Sequence, residues 1–65
     1  MSTFIDRLKQ ETSELADKYE KLVAFTRSDK FLEVKASDQI DLLEQREVMR
    51  EYLKILKRRL AALAS

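Results

Sequence analysis

The chain has 65 residues, 45% of them apolar and 38% charged, with a formal net charge of +1 and no Gly, Pro, Cys or His. Without cysteine or histidine there is no disulfide framework, no usual zinc site and no His-based catalytic triad, and the near-neutral charge supplies no global field toward nucleic acid or membrane. A domain of this size is marginal on one core, so once disulfides and metals are excluded, oligomerisation is the remaining support.

The missing Gly and Pro also bear on fold class. Tight β-hairpin turns draw on Gly, Asn or Asp, and a Pro would break a long helix, so the composition predicts an all-α chain. No apolar run is long enough to span a bilayer and no signal-peptide pattern opens the sequence, so the expected location is the cytoplasm.

The first helix is expected over about residues 3–27, starting after Ser2 or Thr3, whose hydroxyls suit an N-cap, with Asp6 in its positive first turn. Ile5, Leu8, Thr12, Leu15, Tyr19, Leu22 and Thr26 recur at alternating spacings of three and four, a heptad seam whose weak points are Thr12 and Thr26. Phe4, Val23 and Phe25 widen the apolar face near the two ends. Glu14 with Lys18 and Asp17 with Lys21 form i,i+4 pairs on the wet side.

Residues 28–37 connect the halves without the Gly that commonly ends a helix, which predicts a short helical elbow rather than an open loop. Ser28 is expected to cap that turn, and Phe31 and Val34 to present one apolar side that plugs the end of the bundle. Ser37 is expected to cap a second helix over about residues 38–64, with Asp38 and Asp41 near its positive end. The predicted fold is one domain over residues 1–65, an antiparallel two-helix hairpin.

The second helix carries more apolar surface than a hairpin needs. Leu42, Met49, Leu53, Leu56, Leu60 and Leu63 form one seam, with Met49 and Leu56 expected to meet Leu15 and Leu22 of the first helix. Val48, Tyr52, Ile55 and Ala62, with Arg59 beside them, line a second face that the first helix cannot cover. This predicts self-association, most simply a dimer forming a four-helix bundle, or a partner docked on that face. Gln39, Gln45 and Arg46 lie on or beside the first seam, where polar groups can fix register, and the long stem of Arg46 can cover apolar surface while its guanidinium finds a carboxylate. Tyr19 and Tyr52 are read as packing residues, with ligand contact the minority reading.

Charge is uneven along the chain. The first 27 residues balance, residues 28–41 carry two basic and four acidic groups, and residues 42–65 carry six basic and three acidic. Lys54, Lys57, Arg58 and Arg59 follow the last acid, Glu51, and with Tyr52 they form a candidate site for an anionic ligand; cations complementing the helix dipole are the plainer explanation. Glu44, Glu47 and Glu51 share a spacing that could face one cation, but no Asp-rich loop or His accompanies them and a solvated face is the expected role. Ser13, Ser28 and Ser37 have no His base, so no catalytic residue, metal ligand or cofactor is assigned and no enzyme activity is expected.

Leu22, Phe25, Ser28, Phe31, Val34, Asp38, Gln39, Leu42, Gln45, Met49, Tyr52, Ile55, Leu56, Arg59 and Leu60 together make a pattern that resembles small helical-hairpin proteins of tailed bacteriophages. It covers about two-thirds of the chain, and the first 21 residues match only in general character. The resemblance implies a phage accessory protein acting in the bacterial cytoplasm. Such proteins bind and disable host factors, or sequester the nucleotide messengers of bacterial defence as helical cyclic-nucleotide sponges do, although the chain carries no motif of those sponges. The expected activity is therefore stoichiometric binding of a host protein. A sponge for an anionic nucleotide near Tyr52, Arg58 and Arg59 is the alternative, and a nucleic-acid regulator is disfavoured by the charge and by the lack of a helix-turn-helix pattern.

Overall fold

The computed structural model describes residues 3–64, so the Ser2 part of the expected helix cap lies outside the described residues. Helix α1 (Thr3–Thr26) leads through a 3-10 elbow (Asp29–Glu33) into α2 (Ala36–Ala64), which folds back against α1. The protein is an all-α helical hairpin, as the composition and seam spacing predict, measuring 47 × 16 × 14 Å.

The elbow tightens the helix before breaking it. The amide of Arg27 is shared between the carbonyls of Val23 and Ala24 at 3.2 Å each, and those of Ser28, Phe31 and Val34 bond three residues back to Phe25, Ser28 and Phe31 at 3.0, 3.2 and 3.1 Å. Ser28 (φ −89°, ψ 161°) and Val34 (φ −75°, ψ 144°) are extended and interrupt the helix on either side. Among the described residues none has positive φ, which is how a chain without glycine reverses direction at no steric cost.

Two expected caps take other roles. The Ser28 hydroxyl makes no cap bond and instead donates to the Phe25 carbonyl at the end of α1, at 2.7 Å. Helix α2 begins before Ser37: the Lys35 carbonyl accepts from the amides of Asp38 and Gln39 at 2.9 Å each, so Lys35 occupies the cap position and Ser37 lies inside the first turn. The Gln39 side chain ties this end down by donating to the Val34 carbonyl at 2.7 Å.

The core is one side chain thick. Leu8, Phe31, Leu53 and Leu56 are its buried apolar members, and Leu56 is fully enclosed. Thr12 is buried among them at no polar cost because its hydroxyl donates to the Leu8 carbonyl at 2.7 Å. Phe31 closes the elbow end, meeting Phe25 edge to face with ring centroids 6.1 Å apart. At the open end Ile5, Lys9, Leu60, Leu63 and Ala64 surround a hollow of about 350 Å³.

The pairing of Tyr52 with Glu11 and of Leu60 with Ile5 sets the helix register. Leu56 therefore lies level with Leu8, and Met49 with Leu15, which corrects the expected partnership of Leu56 with Leu15 or Leu22. Leu63 and Phe4, at 46% and 57% exposure, are outside the core they were expected to join, since each lies where the hairpin opens and no third helix covers it.

Candidate functional site

At about 100° per residue, the core residues of α2 centre about 120° from Val48, Tyr52, Ile55, Arg59 and Ala62. The core seam meets α1. The other stripe stays open, with Val48 at 62%, Tyr52 at 44% and Ile55 at 41% exposure, and Arg59 and Ala62 also exposed. Three large apolar side chains on one helix face, spaced to form a ridge, are more than scattered surface residues.

Tyr52 sits where this stripe meets α1, and its hydroxyl donates to a carboxylate oxygen of Glu11. That bond pushes the phenol above its ordinary range, as do partial burial and the Glu11 charge, while the nearby Arg59 opposes them. An anion would meet the Glu11 carboxylate at this hydroxyl, so Tyr52 offers a ring face and not a donor.

The cations that adjoin in sequence do not share a face. Lys54, Lys57 and Arg58 fall, together with Arg50, within a sector of about 100°, on the side of α2 away from Tyr52. Arg59 projects toward the Tyr52 stripe instead. Arg50, Lys54 and Lys57 line, with Leu53, a shallow depression of about 300 Å³. Arg50 was missing from the sequence-derived set because it precedes Glu51, yet its position one turn before Lys54 already put it on this face.

The acids beside this face hold part of it in place. Arg50 donates to Glu47 at 2.9 Å and lies 3.6 Å from Glu51, which is 4.0 Å from Lys54. All of these groups are more than half exposed, so each pair contributes little to stability. Among the described residues Lys57, Arg58 and Arg59 have no ion pair.

Polar residues near the seam serve the elbow end. Arg46 Nη1 donates to the Thr26 hydroxyl at 2.9 Å, not to the expected carboxylate, and that hydroxyl donates in turn to the Val23 carbonyl at 2.9 Å. Thr26, a weak point of the apolar seam, is thus the acceptor that fixes Arg46. Gln45 is exposed and lies against the Met49 sulfur at 4.0 Å, and Tyr19 is half-buried. Leu32, Ile40 and Leu43, all exposed near the elbow, form apolar surface that the seam analysis left out.

Among the described residues no helix is long and apolar enough to cross a membrane. No curated protein and no solved structure matches the chain. A family model described as Sequestin matches residues 2–62, nearly the whole length, and the chain belongs to the Sequestin family.

Proposed function

We propose that the protein works by stoichiometric sequestration, without turnover: copies associate through the open stripe of α2 and hold an anionic, phosphate-bearing nucleotide on the face formed by Arg50, Lys54, Lys57 and Arg58. The family name fits a sequestering role. The choice of ligand rests on one observation, the depression of about 300 Å³ lined by three cations and Leu53. Clustered Arg and Lys give charge-assisted bonds to phosphate, the Leu53 floor suits an apolar portion of the ligand, and the volume is at the lower end for small-molecule sites. Association through the apolar stripe would leave this basic face open to a ligand. From the resemblance to tailed-phage proteins we also infer a role in the cytoplasm of an infected bacterium, directed at a nucleotide signal of host defence.

A host protein as target is the second reading, favoured by the exposure of Leu32, Ile40 and Leu43 at the elbow end. Thermal denaturation with a panel of cyclic nucleotides, and with inorganic phosphate as control, separates the two. A ligand at about 100 times its Kd adds roughly 2.7 kcal/mol, a rise in Tm on the order of 10 °C or more for a domain this small. Replacing both Lys57 and Arg58 with Ala should remove the rise and leave helicity intact. If no nucleotide raises Tm, the ligand assignment fails; if Ile40→Asp alone abolishes biological activity, the target is a protein.

A further inference from the structure

We propose that the hollow at the open end of the hairpin binds a single aliphatic chain with an anionic head, an acid of the fatty-acid type, with its tail against Ile5, Leu60, Leu63 and Ala64 and its head between Lys9 and Lys57. This goes beyond the preceding reading and does not depend on what the basic depression of α2 holds, although Lys57 also lines that depression.

The lining selects the tail. Ile5, Leu60, Leu63 and Ala64 have wholly apolar side chains, and Lys9 brings the charge. The volume, about 350 Å³, is within the range of small-molecule sites. A peptide or a nucleotide base seated there would bury polar groups with nothing to bond, whereas an alkyl chain has none to lose. Leu63 is exposed and Leu60 only half-buried, so the tail would cover apolar surface that the hairpin leaves in water.

The helix register selects the head. Glu11 and Tyr52, which meet on one flank of the hairpin, each precede a buried residue, Thr12 and Leu53. Lys9 and Lys57 each follow one, Leu8 and Leu56, which are level with each other. In an antiparallel pair, positions that follow the seam share a flank, so both lysines stand at one level on the flank away from Tyr52. Among the described residues neither makes an ion pair. Two ammonium groups placed across a seam repel until an anion lies between them, and with helix axes about 8–10 Å apart both flexible side chains can reach one carboxylate.

The length of the hollow selects the chain length. From Lys57 to Ala64, α2 rises about 10 Å. An extended chain advances about 1.2 Å per bond, one-third of the extended length of an amino-acid residue, so a chain of about ten carbons fills the site.

Isothermal titration calorimetry with hexanoate, octanoate, decanoate and dodecanoate tests this. Affinity should rise about two- to fourfold per methylene up to decanoate, the upper figure being complete burial, and level off at dodecanoate. Lys9→Ala should weaken octanoate binding about two- to fivefold and leave binding of neutral 1-octanol unchanged. Leu63→Asp, at a position too exposed to unfold the hairpin, should abolish binding of both while helicity by circular dichroism persists. Affinity independent of chain length, or no binding of any of the four acids at millimolar concentration, would overturn the site. Equal losses of octanoate and 1-octanol in Lys9→Ala would overturn the place of the head, and octanoate binding unchanged in Leu63→Asp would overturn the choice of hollow.

Discussion

Truncating Leu56 tests the core assignment most directly. Leu56 is 0% exposed and level with Leu8, itself 3% exposed, so Leu56→Ala removes apolar volume from the best-enclosed point of the hairpin. Losing about three methylene equivalents at roughly 0.8 kcal/mol each costs about 2.4 kcal/mol in transfer alone. The cavity contribution that lifts such substitutions toward about 5 kcal/mol should be small here, because a core one side chain thick can collapse or admit water. A loss of about 2–3.5 kcal/mol is expected, against a total on the order of 3–10 kcal/mol for a chain of this length. Since about 1 kcal/mol moves Tm by roughly 4–8 °C at this size, the melting temperature should fall by roughly 10–25 °C. Circular dichroism melts at one fixed protein concentration measure this, with Glu44→Ala and Leu63→Ala as exposed controls that should shift little. If either control costs as much as Leu56→Ala, the buried face of α2 has been misidentified.

Two further outcomes follow from the elbow and from Tyr52. A double-mutant cycle on Phe25 and Phe31, each changed to Leu, should return a coupling of about 0.5–1.5 kcal/mol from their edge-to-face contact; a coupling of zero would mean that Phe31 acts only by filling space. Because donating to Glu11 raises the Tyr52 phenol above its ordinary value of about 10, its contribution is complete below that pH and is lost as pH rises through the higher folded value. Melts across this alkaline range should show wild type losing stability more steeply than Tyr52→Phe. Parallel curves for the two proteins would rule out the Glu11 contact in solution.

The hairpin was legible because its determinants are local. Spacings of three and four fix the faces of each helix, and the absence of Gly and Pro removes the alternatives. The second stripe was legible for the same reason, since Val48, Tyr52 and Ile55 differ in phase from Leu53 and Leu56. What the sequence hid depends on where a group finds its nearest partner. A hydroxyl can donate backward to a carbonyl as readily as accept a forward amide, so Ser28 read as a cap but bonds Phe25. Arg46 could reach several acceptors, and only the packed hairpin puts Thr26 first. Phe4 and Leu63 satisfy the periodicity yet lie beyond the length over which the helices enclose anything. In the run from Lys54 to Arg59, adjacency concealed divergence, because neighbouring positions on a helix point about 100° apart and Arg59 parts from Arg58.

With every described residue at negative φ, the reversal at the elbow is written in side chains and not in backbone handedness. No elbow position therefore calls for glycine, and the exposed positions of the turn are free to drift in sequence as long as the bonded amides, Phe25, Phe31 and the Gln39 bond to Val34 hold the halves together. The same economy makes the bend reversible in principle. Straightening residues 27–35 breaks no left-handed cap, and the α1 of one molecule can then lie on the α2 of another with every interhelical contact of the hairpin reproduced, so the folded monomer and an exchanged, rod-like assembly differ chiefly in what happens at Phe31.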